Sequence, residues 1–473
     1  MKRREFFRNG TLAAIGASIL SPFDSLGRTV PGADNREKTA GSTKNIIFLV
    51  SDGMSTGTLN MANLLKIRKE GKNSRWMSLY EEHTVARALM DTASASSMVT
   101  DSAAASSAWG GGKRVANGSL NVNDDGSFNK PILQKFKDAG KSVGCVTTVP
   151  ITHATPAGFC VNSAKRSAMP EIALLYHDLR FDVMMGGGTE FFDAEKREDK
   201  LDVFGKFEQS GYAVVKDRKA MLAIKENESR PILGVFHEDG LPYTLDREND
   251  ASLKNNIPTL AEMTRTAINK LKQNKKGFVL QVEGGKVDWA AHANDASALL
   301  YDQLAFDDAV AEAIAFAEAD RNTLVIITTD HGNANPGLFY GDKANAHFDS
   351  LQRYRHTNDW ILNGTRPNTS ISALKERVEY AQSWIPTDEE AREVLSHYQS
   401  LDEAGLYNPR KLPFRSLALI QQEHTSIGWG AMDHSADYVE LAMFGPGKEM
   451  LMPFVKNYEL HQLMLDATGV ARS

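Results

Sequence analysis

The chain has 473 residues, 42% of them hydrophobic and 24% charged, which supports a large buried core, as one big domain with insertions or as two domains. Its formal net charge of −6 gives no reason to expect a nucleic-acid partner and disfavours a dedicated polyanion-binding surface, though local positive charge can still capture a small anionic substrate. The only two cysteines, Cys145 and Cys160, are too few for a disulfide scaffold or a thiolate metal cluster.

The N-terminus reads Lys2-Arg3-Arg4-Glu5-Phe6-Phe7-Arg8-Asn9-Gly10, followed by an apolar small-residue run from Thr11 to Leu20 and then Ser21-Pro22. Paired arginines, a Phe shortly after and a weakly hydrophobic core resemble a twin-arginine export signal, although no clear small-x-small cleavage site marks its end. The run is too short for a permanent membrane anchor. Residues 1–30 are therefore expected to be a signal, 31–44 a polar spacer and 45–473 the mature domain, in a periplasmic or secreted location.

From Asn45 onward strand-like and helix-like segments alternate, which predicts an α/β fold with a large, mostly parallel central sheet and helices on both faces. Strands are expected at Ile46 to Ser51, Val143 to Thr148, Asp182 to Met185, Ile232 to Phe236, Phe278 to Val282, Thr323 to Thr329 and Tyr438 to Phe444. Cys145 falls inside the second of these; it either pairs with Cys160 in an oxidising compartment or is simply buried. Leu260, Met263, Ala267, Ile268 and Leu271 mark the apolar face of one helix, and Leu304, Val310, Ile314 and Ala317 that of another. A last helix is expected from an Asn457 cap to about Ala467, stopping at Gly469. Between about Pro336 and Gln422 the rhythm breaks into a polar segment with its own helix starts, such as Pro386-Thr387-Asp388-Glu389-Glu390. It reads as an insertion before the last stretch of the core. Three roles stay open for it: covering the site, pairing two copies into a homodimer, or a plain surface excursion.

Functional groups in open α/β sheets collect at the carboxyl ends of strands. The first strand ends in Asp52-Gly53-Met54. Phe278 to Val282 ends in Glu283, with Asp288 and His292 just beyond, four apart and thus on one face of any following helix. Leu324 to Thr329 ends in Asp330-His331. An Asp and a His four apart also fit an ordinary solvated helix face, and acid-Gly-Gly an ordinary turn. Three strand ends, however, bring four carboxylates and two imidazoles to one edge, and that donor set without thiolates favours Zn²⁺, Mg²⁺ or Mn²⁺. Val99-Thr100-Asp101-Ser102-Ala103-Ala104-Ala105 reads as a loop entering an Ala-rich helix, with Ser102 in its first turn. The serine could be a mere N-cap; it could also be a nucleophile beside free backbone N–H groups and a positive dipole end suited to phosphate. No Gly-x-Ser-x-Gly elbow competes with it.

The order and spacing of these motifs resemble the alkaline phosphatases, the metal-dependent branch of their superfamily with a serine nucleophile. The resemblance rests on Asn45-Ile46-Ile47 through Asp52-Gly53-Met54, Asp101-Ser102-Ala103-Ala104, His153-Ala154-Thr155-Pro156-Ala157, Glu283-Gly284-Gly285 through Asp288 and His292, Thr329-Asp330-His331, and His434 ahead of Val439 to Pro446. It implies hydrolysis of small phosphate monoesters through a phosphoserine on Ser102, with release of inorganic phosphate. It implies a first zinc held by Asp288, His292 and His434, and a second by Asp52, Asp330 and His331, facing Ser102. A third site, usually Mg²⁺, would use Asp52, Thr155 and Glu283. Arg166 would grip two phosphoryl oxygens with its planar fork, and Asp101 would orient Arg166. Lys165 and His424 are the nearest competitors for the roles of Arg166 and His434; His177, His237, His347 and His356 have no motif behind them.

Two positions depart from the best-known bacterial pattern, which has Asp where this chain has His153 and Lys where it has Trp289. His153 beside the third site is expected to weaken Mg²⁺ selectivity and open the site to Zn²⁺ or Co²⁺. Trp289 removes a cation that could contact phosphate, so product should be held more loosely. Two further readings compete. A phosphodiesterase or sulfatase of the same superfamily is one, against which stand Arg166 and the lack of a Cys/Ser-x-Pro-x-Arg motif. The other is an exported, non-catalytic phosphate- or metal-binding protein, which would have no use for Ser102.

Overall fold

The computed structural model describes residues 41, 43–399 and 411–471. The twin-arginine segment and nearly all of its spacer lie outside them. Apolar runs become the strands of a ten-stranded sheet: Asn45–Ser51 (β1), Ala86–Asp91 (β2), Ser142–Pro150 (β3), Val183–Gly187 (β4), Ala213–Val215 (β5), Ile232–Val235 (β6), Phe278–Gly284 (β7) and Thr323–Thr328 (β8) come first in the chain. After the two-residue strands Gly332–Asn333 (β9), Gly337–Leu338 (β10), Ile427–Gly428 (β11) and His434–Ser435 (β12), the sheet gains Val439–Phe444 (β13) and Phe454–Lys456 (β14). Their spatial order is β14-β2-β13-β8-β1-β7-β3-β4-β6-β5. The run from β8 to β5 is parallel throughout, and β13 is antiparallel to both β8 and β2.

Alternation within β1 explains why the sheet needs cover on both faces. Ile47 and Leu49 point into one apolar cluster, while Ile46, Phe48 and Val50 point into another on the opposite face. The predicted apolar face of helix Leu260–Leu271 is buried as expected, behind a Thr259–Glu262 capping box. Helix Ala296–Asp320 buries Val310, Ile314 and Ala317, with Leu304 partly buried. The last helix starts later than expected, at Glu459, and stops at Gly469 with φ 66°. The Asn457 carboxamide donates to the Thr92 carbonyl and accepts from Arg114 and from Tyr458 N–H.

The polar segment folds as helices Ala344–Ser350, Asn358–Asn363, Ile371–Gln382, Asp388–Tyr398 and Phe414–Thr425. It has a core of its own, built on Ile361, Leu374, Val378, Val394, Tyr398 and Leu417. The predicted start at Thr387 is a capping box with Glu390. Cys145 and Cys160 are buried free thiols with sulfurs 3.6 Å apart, and the Cys145 thiol reaches Gln281 Oε1 at 3.3 Å.

Helix Ser102–Gly111 crosses helix Ala154–Cys160 at very close range because both carry glycine at the crossing. A methyl at Gly110 would sit 2.0 Å from the Gly158 carbonyl oxygen, and one at Gly158 would sit 2.1 Å from Ser106 Oγ. The two helices therefore hold Ser102 and Thr155 in a fixed relation. Gly158→Ala is expected to destabilise the protein by about 1–3 kcal/mol through overpacking, read as a lowered urea midpoint at unchanged slope.

Candidate metal centre and nucleophile

β1 lies between β7 and β8, and the register places Val50 beside both Glu283 and Thr328. The chain leaves β1 at Asp52, β7 carries Glu283 near its end, and β8 is followed directly by Thr329-Asp330-His331. Sheet register thus gathers Asp52, Glu283, Asp330 and His331, while helix Lys286–His292, the His153 cap of helix Ala154–Cys160 and strand β12 bring in the other donors. They form three groups, each with ligand atoms within 4.8 Å of one another: Asp288 with His292 and His434, Asp52 with Asp330 and His331, and Asp52 with His153 and Glu283. The first group matches the residues expected for the first zinc, and the second those expected for the second zinc. In the third, Thr155 Oγ1 donates to Asp52 Oδ2 at 3.2 Å, so the threonine also borders that group.

The first group is oriented from behind. His292 Nδ1 bonds the Met432 carbonyl at 2.7 Å and His434 Nδ1 bonds the Thr100 carbonyl at 2.8 Å. A carbonyl only accepts, so each Nδ1 carries a proton and each ring turns its Nε2 toward the site. These two Nε2 atoms lie 3.1 Å apart, and each also faces an Asp288 oxygen, at 3.4 and 3.6 Å. Two imidazole nitrogens converging beside a carboxylate are the donor set of a chelate. Asn333 Nδ2 donates to Asp288 Oδ1 at 2.7 Å and fixes the carboxylate.

In the second group His331 Nε2 lies 3.2 Å from Asp330 Oδ2 and 3.7 Å from Asp52 Oδ1. Ser102 Oγ is 3.3 Å from the same nitrogen, which puts the serine at the edge of this group. Ser102 is the first residue of helix Ser102–Gly111 and is not its cap. Asp101 takes that role, accepting from Ala104 N–H. The other Asp101 oxygen accepts from Gly118 N–H at 2.9 Å and from Arg166 Nη1 at 3.0 Å. Arg166 Nη2 meets His153 Nε2 at 3.2 Å, and the His153 ring stands edge-on to Trp289 with centroids 6.2 Å apart.

The competitors lie elsewhere. Lys165 is exposed, and His424 stacks on Trp384 inside the inserted segment. His177 bonds Asp178 and Ser210, His347 bonds Ser426, and His356 is buried against Asp246. His237 likewise belongs to none of the three groups. Sequence reasoning missed Thr147, whose hydroxyl donates to Glu283 Oε2, as well as Asn333 and the Met432 and Thr100 carbonyls. Thr147 stands opposite Glu283 in the β3–β7 register, a signal that exists only once the strand pairing is known.

Metal ions fit this donor set. Asp52 Oδ1, His153 Nδ1, Glu283 Oε1, Asp330 Oδ2 and His331 Nδ1 are buried without a hydrogen-bond partner. Three of them are carboxylate oxygens in the metal-type groups, and uncompensated buried anions are among the costliest things a fold can hold. Burial, together with the charges of Asp330, Asp288 and Glu283, drives the Asp52 carboxyl well above its usual range. Burial raises Glu283 to about 7 against the hydrogen bonds of Thr147, Asp52 and Thr155, and Asp330 to about 6. Burial also acts upward on Asp288, but His292, His331 and His434 outweigh it and draw Asp288 down to about 2. His331 is pushed well down by burial and by His434, and burial plus the Arg166 cation push His153 down to about 3.

A carboxyl whose folded value is raised stabilises the fold fully below its unfolded value and loses that contribution as pH rises through the folded one. The depressed histidines oppose this only below about 6.5, where unfolded imidazole takes up protons. Between pH 7 and 8, where unfolded imidazole is mostly neutral, the carboxylates dominate. Metal-stripped protein is therefore expected to lose about 1–2 kcal/mol over that interval, while protein loaded with Zn²⁺ shows no such fall because the ion binds the deprotonated ligands. Thermal unfolding with EDTA and with Zn²⁺ at several pH values checks this.

The sequence and the fold have counterparts among known proteins. The family model described as alkaline phosphatase matches residues 43–470. Alkaline phosphatase 3 of Bacillus subtilis is 32% identical over 442 residues, covering 91% of each chain. Alkaline phosphatase 4 of the same organism is 29% identical over 431 residues, covering 90% of this chain and 88% of its own. The crystal structure of Thermus thermophilus alkaline phosphatase superposes with a TM-score of 0.84 at 30% identity, covering 96% of this chain and 97% of that one. The chain belongs to the alkaline phosphatase family, and it is a phosphomonoesterase of that metal-dependent family.

Proposed function

We propose that the chain is an exported alkaline phosphatase that hydrolyses small phosphate monoesters through a phosphoserine on Ser102. The observation that carries this reading is the position of Ser102. It is the first residue of a helix, its Oγ is 3.3 Å from His331 Nε2, and the preceding residue, Asp101, holds the Arg166 guanidinium at 3.0 Å. A nucleophile, a positive helix end and a planar cation are thus set around one point.

Asp288, His292 and His434 would hold one zinc, Asp52, Asp330 and His331 a second, and Asp52, Glu283 and Thr155 a Mg²⁺. His153 beside this third group opens it to Zn²⁺ or Co²⁺. Bound there, the ions would supply Lewis acidity toward the serine hydroxyl, the ester oxygen and water. The rest is the work of the chain. Ser102 Oγ attacks phosphorus in line, the bond from phosphorus to the ester oxygen breaks, and the alcohol departs as the phosphoryl group passes to the serine. Water then attacks phosphorus, frees Ser102 and releases inorganic phosphate. Arg166, steered by Asp101, grips the equatorial oxygens throughout, where most of the charge of a loose transition state resides.

Export rests on the twin-arginine pattern of residues 1–30. No helix among the described residues is long and apolar enough to cross a membrane.

Ser102→Ala is expected to lower kcat for p-nitrophenyl phosphate by about 10³-fold or more and to abolish covalent labelling by the ester while phosphate still binds; turnover equal to the parent would refute the covalent route. Trp289→Lys restores a cation near the phosphate site and is expected to strengthen inhibition by inorganic phosphate by about tenfold, with slower turnover. Inhibition constants for phosphate in the two proteins decide that point.

A further inference from the structure

The inserted helical segment between β10 and β11 reaches the first metal-type group by three routes. The most direct is Met432. Its carbonyl takes the His292 Nδ1 proton at 2.7 Å, and its side chain packs, partly buried, against the segment's own core. The second is Ala293, which directly follows His292 and packs against the same core. The third is Asp295, two residues further on, whose Oδ2 accepts from the backbone N–H of Asn358 in the segment at 2.6 Å. Asn358 is in turn locked by an amide network: its Nδ2 donates to Gln421 Oε1 at 2.8 Å, its Oδ1 accepts from Gln382 and Gln421 at 2.8 and 2.7 Å, and Gln421 also donates to Gln382 at 2.6 Å.

The loop that carries Met432 leads straight into His434. It is held on its other side by backbone bonds from Gly430 N–H to the Ala334 carbonyl and from Ala334 N–H to the Asp433 carbonyl. One short stretch therefore delivers a ligand, His434, and the acceptor that sets the tautomer of a second ligand, His292. The Met432 side chain is what seats that stretch on the inserted core.

We infer that the inserted segment is a positioning element for the Asp288–His292–His434 group, with Met432 as its principal positioning residue and Ala293 as a second contact. This rests on the reading of that group as a metal site. Groups behind metal-bound histidines commonly change metal affinity by about 10–100-fold. The segment's packing should accordingly set how firmly the first ion is held; the Asp52–Asp330–His331 group, tied to the strand ends by Gly53 N–H and meeting the Met432 stretch through the His331 ring stacked on His434 at 3.6 Å, should respond less.

The test uses the full protein loaded with cadmium, whose NMR resonances report each site separately. Met432→Ala keeps the backbone carbonyl and removes its anchor. It is expected to shift and broaden the resonance of the first site, and to speed chelator-driven loss from that site about tenfold. The second-site resonance should shift less than the first, and Met432→Leu should restore parental behaviour. Ala293→Gly, which deletes the other contact at a position with φ −82°, should shift the same resonance and reads the link independently should Met432→Ala fail to fold. First-site resonance and loss rate unchanged in both variants would overturn the inference. A parent protein with no first-site resonance would overturn the metal reading and this inference together.

Discussion

Everything in this molecule is arranged around a concentration of buried negative charge. Asp52, Glu283, Asp288 and Asp330 are almost wholly shielded from water, with three of them driven upward in pKa by burial. Two unit charges a few ångströms apart in such surroundings interact by several kcal/mol even at an effective dielectric constant of about 20. The fold tolerates this only with protons or cations among the carboxylates. The unpartnered oxygens of Asp52, Glu283 and Asp330 mark where hydrogen bonding stops and a proton or a cation has to take over.

The scaffold keeps that arrangement from relaxing. β1, β7 and β8 are the centre of a ten-stranded sheet, apolar on both faces, so the strand ends cannot spread apart without exposing core. Gly53 stands at φ 65°, and a Cβ there would meet Asp288 Oδ1 at 2.4 Å. The turn after β1 is thus both a left-handed backbone position and the floor on which the neighbouring carboxylate rests. Backbone groups do much of the fixing: Gly53 N–H donates to Asp330 Oδ1 at 3.0 Å, and Met54 N–H donates to Thr329 Oγ1 at 2.9 Å. A site assembled from strand ends and their first turns inherits the stiffness of the sheet, as ligand geometry demands.

The legible parts of the sequence were those with a strong local signature. Ile46 to Ser51 and Phe278 to Val282 are unbroken apolar runs and appear as central strands. Strands β2, β5 and β14 were not foreseen: Ala86–Asp91 is built from Ala, Arg, Leu and Met with alternating exposure, and the other two span three residues each. Their strand character comes from the neighbours they pair with, beyond the reach of local propensity. The same division holds at the site. Ligand-type side chains could be named because carboxylates and imidazoles at strand ends are few. Thr147, Asn333 and the carbonyls of Thr100 and Met432 could not, since any hydroxyl, amide or peptide group looks alike until tertiary structure aims it.

Asp101 shows how far one side chain can couple the parts of the site. One carboxylate oxygen caps helix Ser102–Gly111 through Ala104 N–H, and the other takes both Gly118 N–H and Arg166 Nη1. The backbone of Asp101 is itself pinned by Asn117 Oδ1 at 3.2 Å. Because the capping residue directly precedes Ser102, any movement of the cap moves the nucleophile, and because the same carboxylate holds the guanidinium, it moves Arg166 as well. The arginine's far side rests on His153, which stands edge-on to Trp289; above the indole face lies the buried Lys286 ammonium, 4.5 Å from the ring centroid. The guanidinium is therefore held between the Asp101 carboxylate on one side and the edge-on His153–Trp289 pair on the other. The residues that differ from the best-known pattern, His153 and Trp289, lie on the second side, where they can alter how phosphate is gripped while leaving the link between cap and nucleophile intact.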